Sequence, residues 1–289
     1  MTVMVTGASG VLGRAIVRAL VGHDEVRVTV RRPDAGEALR ALGAKVAVRP
    51  VDDPDHLVEI LPRVHTLVHL VGGVNQTSDE EILAANHGSA VAAVAAAREA
   101  GTRRVLLLSV SGASIESSHP FLRAKALAEE VVLSSGLEHA VLRTSHVYGL
   151  GGLWFTATVT GADHGFVIGD GTQVAAPILA ADVAAVVAAI DDRRDPIEGV
   201  WRLHGPDELT ADDVVAIAGE GDAPAHLDPV VAAERLTGLL GIPVSVRATE
   251  HWAATSVADA PDAAAAFGVQ TTPFGDGLRI VAAELAGTG

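Results

Sequence analysis

The chain predicts an α/β fold, a doubly wound parallel sheet, and three observations carry that expectation. Short apolar, β-branched runs at residues 3–5, 26–30, 44–48, 64–71, 105–108, 140–143 and 200–203 alternate with helix-period segments. Such alternation implies parallel strands joined by right-handed crossovers. The first strand-to-helix turn is rich in glycine, as a tight βα connection requires. Finally, 289 residues with 49% hydrophobic and 20% charged side chains can bury one large α/β core, or a nucleotide domain with a smaller appendage.

The opening unit is the most informative stretch. Residues 3–5 run into Gly7, Gly10 and Gly13 and then into an apolar-periodic segment with Ile16, Val17 and Leu20, the order strand, turn, helix. Gly7 permits a turn that a Cβ would obstruct, Gly10 lets backbone approach a pyrophosphate, and Gly13 lets helix and strand pack closely. Helix N–H groups and the positive end of the dipole then face an anion. Thr6, Gly7, Ser9, Gly10, Val11, Leu12, Gly13 and Arg14 are the expected dinucleotide contacts of this turn.

Composition narrows the functional classes. A net charge of −15 gives no basic footprint for nucleic acid and opposes an anionic membrane surface, so an anionic cofactor needs local positive groups. With no cysteine, disulfides and thiol chemistry are excluded, and cytoplasm is the expected compartment. The chain opens on a strand pattern, and its longest small apolar run, residues 90–97, is too short to cross a bilayer. None of the twelve histidines falls in metal-ligand spacing, so no metal is expected.

Further along, a strand at 26–30 ends in Arg31-Arg32-Pro33, a helix at 35–42 is closed by Gly43, and a third strand covers 44–48. The run 64–71 carries His65 and His69 and passes into Gly72-Gly73; His69 reads as a hydrogen-bonded structural residue. An alanine-rich helix spans 79–100 with Asn86 inside it, and the strand 105–108 leads to Ser109-Val110-Ser111-Gly112. The next helix reads His119-Pro120-Phe121-Leu122-Arg123-Ala124-Lys125.

With its Thr6-Gly7-x-x-Gly10-x-x-Gly13 run, the chain resembles the short-chain dehydrogenase/reductase superfamily, in its extended and atypical, NmrA-like branches. The resemblance implies a Rossmann fold and several site residues. Where relatives that favour NAD carry an acidic residue after the second strand, this chain has Arg31 and Arg32, which implies NADP(H), with Arg14 as a helper. The bland alternative is that both arginines are solvated turn charges. An adenine-contacting Asp of relatives falls on Pro50, so Asp52 or Asp53 is left to substitute. Backbone at Leu70, Gly72, Gly73 and Ser109 is placed beside the cofactor, and Asn86 either orders water or simply packs.

The same resemblance locates the chemistry. Relatives use a serine after the fifth strand and a Tyr-x-x-x-Lys pair on the next helix, with the phenol giving its proton to a carbonyl oxygen. Here Ser111 and Lys125 match, whereas Phe121 replaces the tyrosine and holds no exchangeable proton. The run Arg143-Thr144-Ser145-His146-Val147-Tyr148-Gly149 resembles an Arg-Pro-x-x-x-Tyr-Gly segment and offers His146 and Tyr148 as proton carriers, although Tyr148 is more often structural in relatives. Ser111, Lys125 and His146 are therefore the expected catalytic set. Trp154 and Phe155 on a helix at 150–160 read either as an apolar lid or as core, and Asp182 as a structural cap or network member.

These readings divide the chain into an NADP-binding core over 1–148 and a substrate-side region over 149–289 that also lends a strand and helices to the core. Short helices at 228–241, 248–267 and 273–286 are expected to cover the substrate side. The function expected is an NADPH-dependent ketoreductase of a large aromatic, polyketide-type ketone in antibiotic biosynthesis, with the substrate assisting protonation. A non-catalytic NADP(H)-binding regulator or assembly factor is the alternative. A small molecule is the expected partner, without nucleic acid or membrane; the sequence leaves the oligomeric state open.

Overall fold

The computed structural model describes residues 1–48, 54–219 and 224–287. Its central sheet contains β1 (Thr2–Thr6), β2 (Glu25–Val30), β3 (Lys45–Val48), β4 (Thr66–His69), β5 (Arg104–Val110), β6 (Glu138–Thr144) and β7 (Glu198–Leu203). The seven strands are parallel in the order β7-β6-β5-β4-β1-β2-β3. That order reverses direction between β1 and β4, where the two crossovers leave on opposite faces and open a crevice at the carboxyl ends of the strands. Thr6 and His69 are register partners at that place.

Strand pleating explains the two core layers. Val3 and Val5 face one layer, formed with α1 (Val11–Leu20), and Met4 between them faces the other, beneath α3 (Pro54–Ile60). In chain order the remaining helices are α2 (Asp34–Ala41), which precedes α3, then α4 (Asp79–Leu83), α5 (Ser89–Glu99), α6 (Pro120–Leu133), α7 (Leu153–Asp163) and α8 (Ala180–Asp191). Beyond β7 come α9 (Ala211–Ala218), α10 (Pro229–Leu240), α11 (Val246–Trp252), α12 (Ala263–Phe267) and α13 (Phe274–Gly287). Their starts follow capping chemistry: Thr210 and Asp213 form a reciprocal capping box at α9, and Asp228 caps α10, which ends on left-handed Gly241.

The region after residue 149 is woven into the core. β7 pairs with β6, and Val183, Val186, Val187 and Ile190 of α8 join the layer of α1. Arg104 of β5, fully buried, donates to the carbonyls of Ile190 at 2.6 Å, Arg193 at 3.0 Å and Asp191 at 3.3 Å, and to the Glu138 carboxylate at 3.0 Å. It thereby satisfies the end of α8, whose last carbonyls have no partners within the helix. Asp182 accepts from the Thr272 N–H at 2.7 Å and hydroxyl at 3.1 Å, which makes it the structural tie expected of it.

Three elements differ from the sequence expectation. β4 covers Thr66–His69 instead of 64–71, because pairing with β1 and β5 ends there and the chain turns away toward Gly72 at φ +136°. The helix of 79–100 is interrupted by a π-turn, Ala84–Gly88, which holds Asn86. The apolar stretch 248–267 is split into α11 and α12, with Pro261 in the break.

Candidate functional site

The glycine turn lies in the crevice between β1 and β4. Gly7 adopts φ +76°, and a Cβ there would stand 3.0 Å from the Leu70 carbonyl carbon, so the first turn lies against the end of β4. Gly13 is closed in more tightly: its Cβ would sit 2.4 Å from Ala8 Cα. Gly10 differs from both. It is exposed, the nearest atom to an added Cβ is Gly7 O at 3.7 Å, and it starts α1 with no capping side chain and no acidic residue in the first turn. Its openness therefore serves a visiting group, and α1 presents an uncompensated positive end to it.

Around this cradle Ser9 is exposed and Val11 and Leu12 are half-buried. Arg14 donates to Ser9 O at 2.7 Å. Arg31 and Arg32 are exposed at the end of β2, with Arg32 3.3 Å from Asp34. Thr6 instead turns inward: its hydroxyl meets His69 Nδ1 at 2.9 Å, and His69 Nε2 meets Ser89 Oγ at 3.1 Å. Burial, with the Lys125 charge adding to it, holds His69 down to about 3. His69 is thus a neutral structural link. Pro50, Asp52 and Asp53 lie outside the described residues.

The Gly72-Gly73 turn, Asn86 and Lys125 form one assembly. Asn86 accepts from Gly73 N at 3.1 Å and donates to Gly73 O at 3.0 Å and Ile82 O at 2.8 Å. A Cβ on Gly72 would fall 2.2 Å from Asn86 Oδ1 and 3.4 Å from Lys125 Nζ. Lys125 donates to Leu108 O at 2.9 Å, and burial lowers its ammonium to about 8. Ser109 is drawn elsewhere: its hydroxyl donates to Glu129 at 2.5 Å, and Glu129 also binds Arg143 at 2.6 Å. This leaves backbone as the group Ser109 can offer a cofactor.

At the end of β5, Ser111 Oγ lies 2.7 Å from His204 Nε2, and burial together with the nearby Arg202 charge brings His204 to about 4. Phe121 is buried with Ile82 and Ala124, and its ring meets His251 of α11 edge-to-face at 5.0 Å. His251 also faces His146 at 5.6 Å and His119 at 6.0 Å, while His146 stacks on Trp154 at 4.7 Å. Burial lowers His146 to about 4. His119 Nε2 meets Arg247 O at 3.0 Å, and the Nδ1 atoms of His119 and His251 are buried without hydrogen-bond partners.

Sequence reasoning missed His204 and His251, which arrive from distant parts of the chain without a motif. The one available cue was His251 beside Trp252 in a chain with only 3% aromatic residues. Tyr148 is corrected as a proton carrier. Its hydroxyl is buried without a partner, so close to α13 that a Cβ on Gly277 would fall 1.8 Å away. Burial, then the charges of Asp182, Asp207 and Asp276, hold the phenol above its ordinary range.

A small apolar cavity, about 40 Å³, opens beside His146, walled by Trp154, Ala157, Phe166, Val214 and Trp252. The aromatic pair of α7 divides: Trp154 lines this space, and Phe155 packs on Tyr148 at 6.0 Å. Among the described residues no cluster of side chains could hold a metal, and no helix is long and apolar enough to cross a membrane.

A family model described as NAD(P)H-binding matches residues 7–193. The chain is 31% identical over 224 residues to the mitochondrial NADH dehydrogenase [ubiquinone] 1 alpha subcomplex subunit 9 of Arabidopsis thaliana, covering 74% of this chain and 56% of that one. It is 29% identical over 170 residues to the 4-hydroxy-2-methyl-3-oxo-4-farnesyl-3,4-dihydroquinoline-1-oxide ketoreductase of Stigmatella aurantiaca, covering 52% of this chain and 51% of that one. The chain thus spans about half the length of these two curated relatives. Its fold is like that of the Citrobacter sp. triphenylmethane reductase complexed with NADP(H), with TM-score 0.77 and 17% identity over 97% of this chain and 100% of that one. From the glycine cradle in the switch-point crevice and the match over residues 7–193, the chain belongs to the NAD(P)H-binding family, as an atypical short-chain dehydrogenase/reductase with NAD(P)H as its cofactor.

Proposed function

We propose that the protein is an NADPH-dependent ketoreductase of a large aromatic ketone, of the angucyclinone-like polyketide class, acting in antibiotic biosynthesis. One juxtaposition carries this reading: the apolar cavity adjoins His146 and the histidine cluster on Phe121, one helical turn from Lys125 on the cofactor side. The Stigmatella relative, by its name a ketoreductase of a dihydroquinoline oxide, supports reduction of a ring ketone.

The reduced nicotinamide, when bound, supplies the hydrogen and two electrons of the new C–H bond, while the carbonyl π pair passes to oxygen. That oxygen takes its proton from a phenolic hydroxyl of the substrate beside the carbonyl, and water restores the phenol. The protein's part is then positioning, which supplies much of an enzymatic barrier reduction without a protein acid. Gly10 and the start of α1 hold the pyrophosphate, and Arg31 pairs with the 2′-phosphate. Lys125 binds the nicotinamide ribose, and Ser111, backed by His204 at 2.7 Å, donates to the ketone oxygen. Trp154 and Trp252 orient the ring system.

Stereospecific NADPH oxidation is expected with a panel of phenolic polyketide ketones, and silence across that panel would sink the reading. Cofactor choice is checked separately. Arg31→Asp should weaken NADPH binding by roughly 10²-fold while leaving NADH within about twofold, as loss of a charge-assisted phosphate contact requires. Equal losses on both would remove Arg31 from the 2′-phosphate.

A second reading is favoured by Phe121 and by the Arabidopsis relative, by name a subunit of an NADH dehydrogenase. In it the protein binds NADP(H) without turnover and serves as a regulator or assembly factor. Tight cofactor binding with no activity, together with a co-purifying protein, would support this one.

A further inference from the structure

Where the tyrosine of related enzymes would stand, this chain holds Phe121, and against that ring α11 places His251, centroid to centroid 5.0 Å. We propose that His251 donates a hydrogen bond to the carbonyl oxygen of the substrate, taking over the contact that the absent phenol would make. The inference rests on the ketoreductase reading and adds a residue to its site.

Three observations carry it. First, His251 is 92% buried by its exposure of 8%, and its Nδ1 has no hydrogen-bond partner. A buried polar atom without a partner is unfavourable, and a ligand that arrives with a complementary group relieves it. Second, two residues beside it line the apolar cavity: His146, 5.6 Å from its ring, and its chain neighbour Trp252. Third, it is on the cofactor side, since Phe121 shares a face of α6 with Lys125, whose Nζ is 5.9 Å from the Phe121 ring.

Burial, with the His146 and His119 charges adding to it, pushes His251 well below the ordinary histidine range. It is therefore a neutral imidazole, which keeps one N–H to donate and draws electron density from a carbonyl without carrying a charge. Among the described residues against the Phe121 ring, no other uncharged side chain has a free donor. The ring is a hydrocarbon, His119 Nε2 is occupied by Arg247 O at 3.0 Å, and Tyr148 is turned to α13.

The test uses the full chain with histidine labelled in ¹⁵N, NADP⁺ and 1,8-dihydroxyanthraquinone as a non-turnover probe. Saturation with the probe should move the His251 ring nitrogen resonances, and His251→Phe, which keeps the ring packing, should weaken the probe roughly tenfold or more while NADP⁺ affinity stays within about twofold. With a ketone that the wild type reduces, His251→Phe should lower kcat by roughly 10²-fold, the scale of a lost oxyanion donor. Adding Phe121→Tyr to that variant should restore at least part of the loss by returning a phenol beside Lys125.

His251 ring resonances unmoved at saturation would overturn the proposal, as would a His251→Phe variant with unchanged probe affinity and kcat. Should His251→Phe not fold, as judged by circular dichroism, His251→Gln replaces it and is expected to keep a fraction of both. If the wild type reduces no ketone, the ketoreductase reading falls, and the resonance shift alone then decides whether His251 meets a bound phenolic ketone.

Discussion

Lowering the pH from 7 to about 4.5 is expected to unfold this protein, because four histidines are buried in neutral form. His69 is held at about 3, His146 and His204 at about 4, and His251 well below its ordinary value, each chiefly by burial. The sign follows from comparing the two states. In the unfolded chain these rings take up protons near pH 6.5, whereas in the folded chain His69, His146 and His204 do not until pH 3 or 4 and His251 is displaced in the same direction, so stability is present above 6.5 and lost below it. Each of the three rings with a defined value contributes about 1.4 kcal/mol per pH unit within that window, together roughly 4 kcal/mol per unit, and His251 acts with the same sign. Against a typical total of about 5–15 kcal/mol, the balance is reversed near pH 5. Asp182 and Asp191, whose carboxyls burial pushes up, offset part of the loss by taking protons early in the folded state. Thermal melts from pH 7 to 4 check this; a melting temperature that stays level down to pH 4.5 would show that these rings accept protons where they lie.

Gly13→Ala is expected to destabilise the fold by on the order of 3 kcal/mol and to weaken NADPH binding at least tenfold. A single methyl group is enough, because the Cβ would stand 2.4 Å from Ala8 Cα and 2.6 Å from Ala8 C. Both are backbone atoms of the phosphate turn, so relief requires moving the turn itself. Gly10→Ala is the contrast: with 3.7 Å to its nearest neighbour it should keep the melting temperature and lose cofactor affinity alone. Calorimetric titration with NADPH beside a melt of each variant separates the two effects. Equal behaviour of the two would mean that Gly13 has no packing role.

Much of this architecture was legible because local patterns decide it. Alternation of apolar runs marked the strands of the central sheet, and the glycine run marked the cradle that the crevice between β1 and β4 contains. Asp182 was legible as a tie and His69 as a structural ring. The histidine cluster was not. Ser111 and Lys125 were expected from the family resemblance, whereas His204, which meets Ser111, and the cluster of His119, His146 and His251 come together only after distant segments fold. Only Val147 separates Tyr148 from His146, yet the phenol goes to α13 and the imidazole to the cavity, a difference that no local pattern marks. The π-turn at Ala84–Gly88 has no marker in an alanine-rich run, and within it the Asn86 amide is bonded to the Gly73 backbone.

The buried guanidinium of Arg104 has a consequence for how such a protein can be recombined. Because it reaches from β5 to four carbonyls at and beyond the end of α8, those of Ile190, Asp191, Arg193 and Asp195, residues far apart in the chain are fastened as one piece. A chimera that swapped everything past Tyr148 for a relative's sequence would strand this cation among mismatched acceptors. Grafts of new substrate walls belong in α7 and in α9 to α11, with the α8 segment through Asp195 kept from the parent.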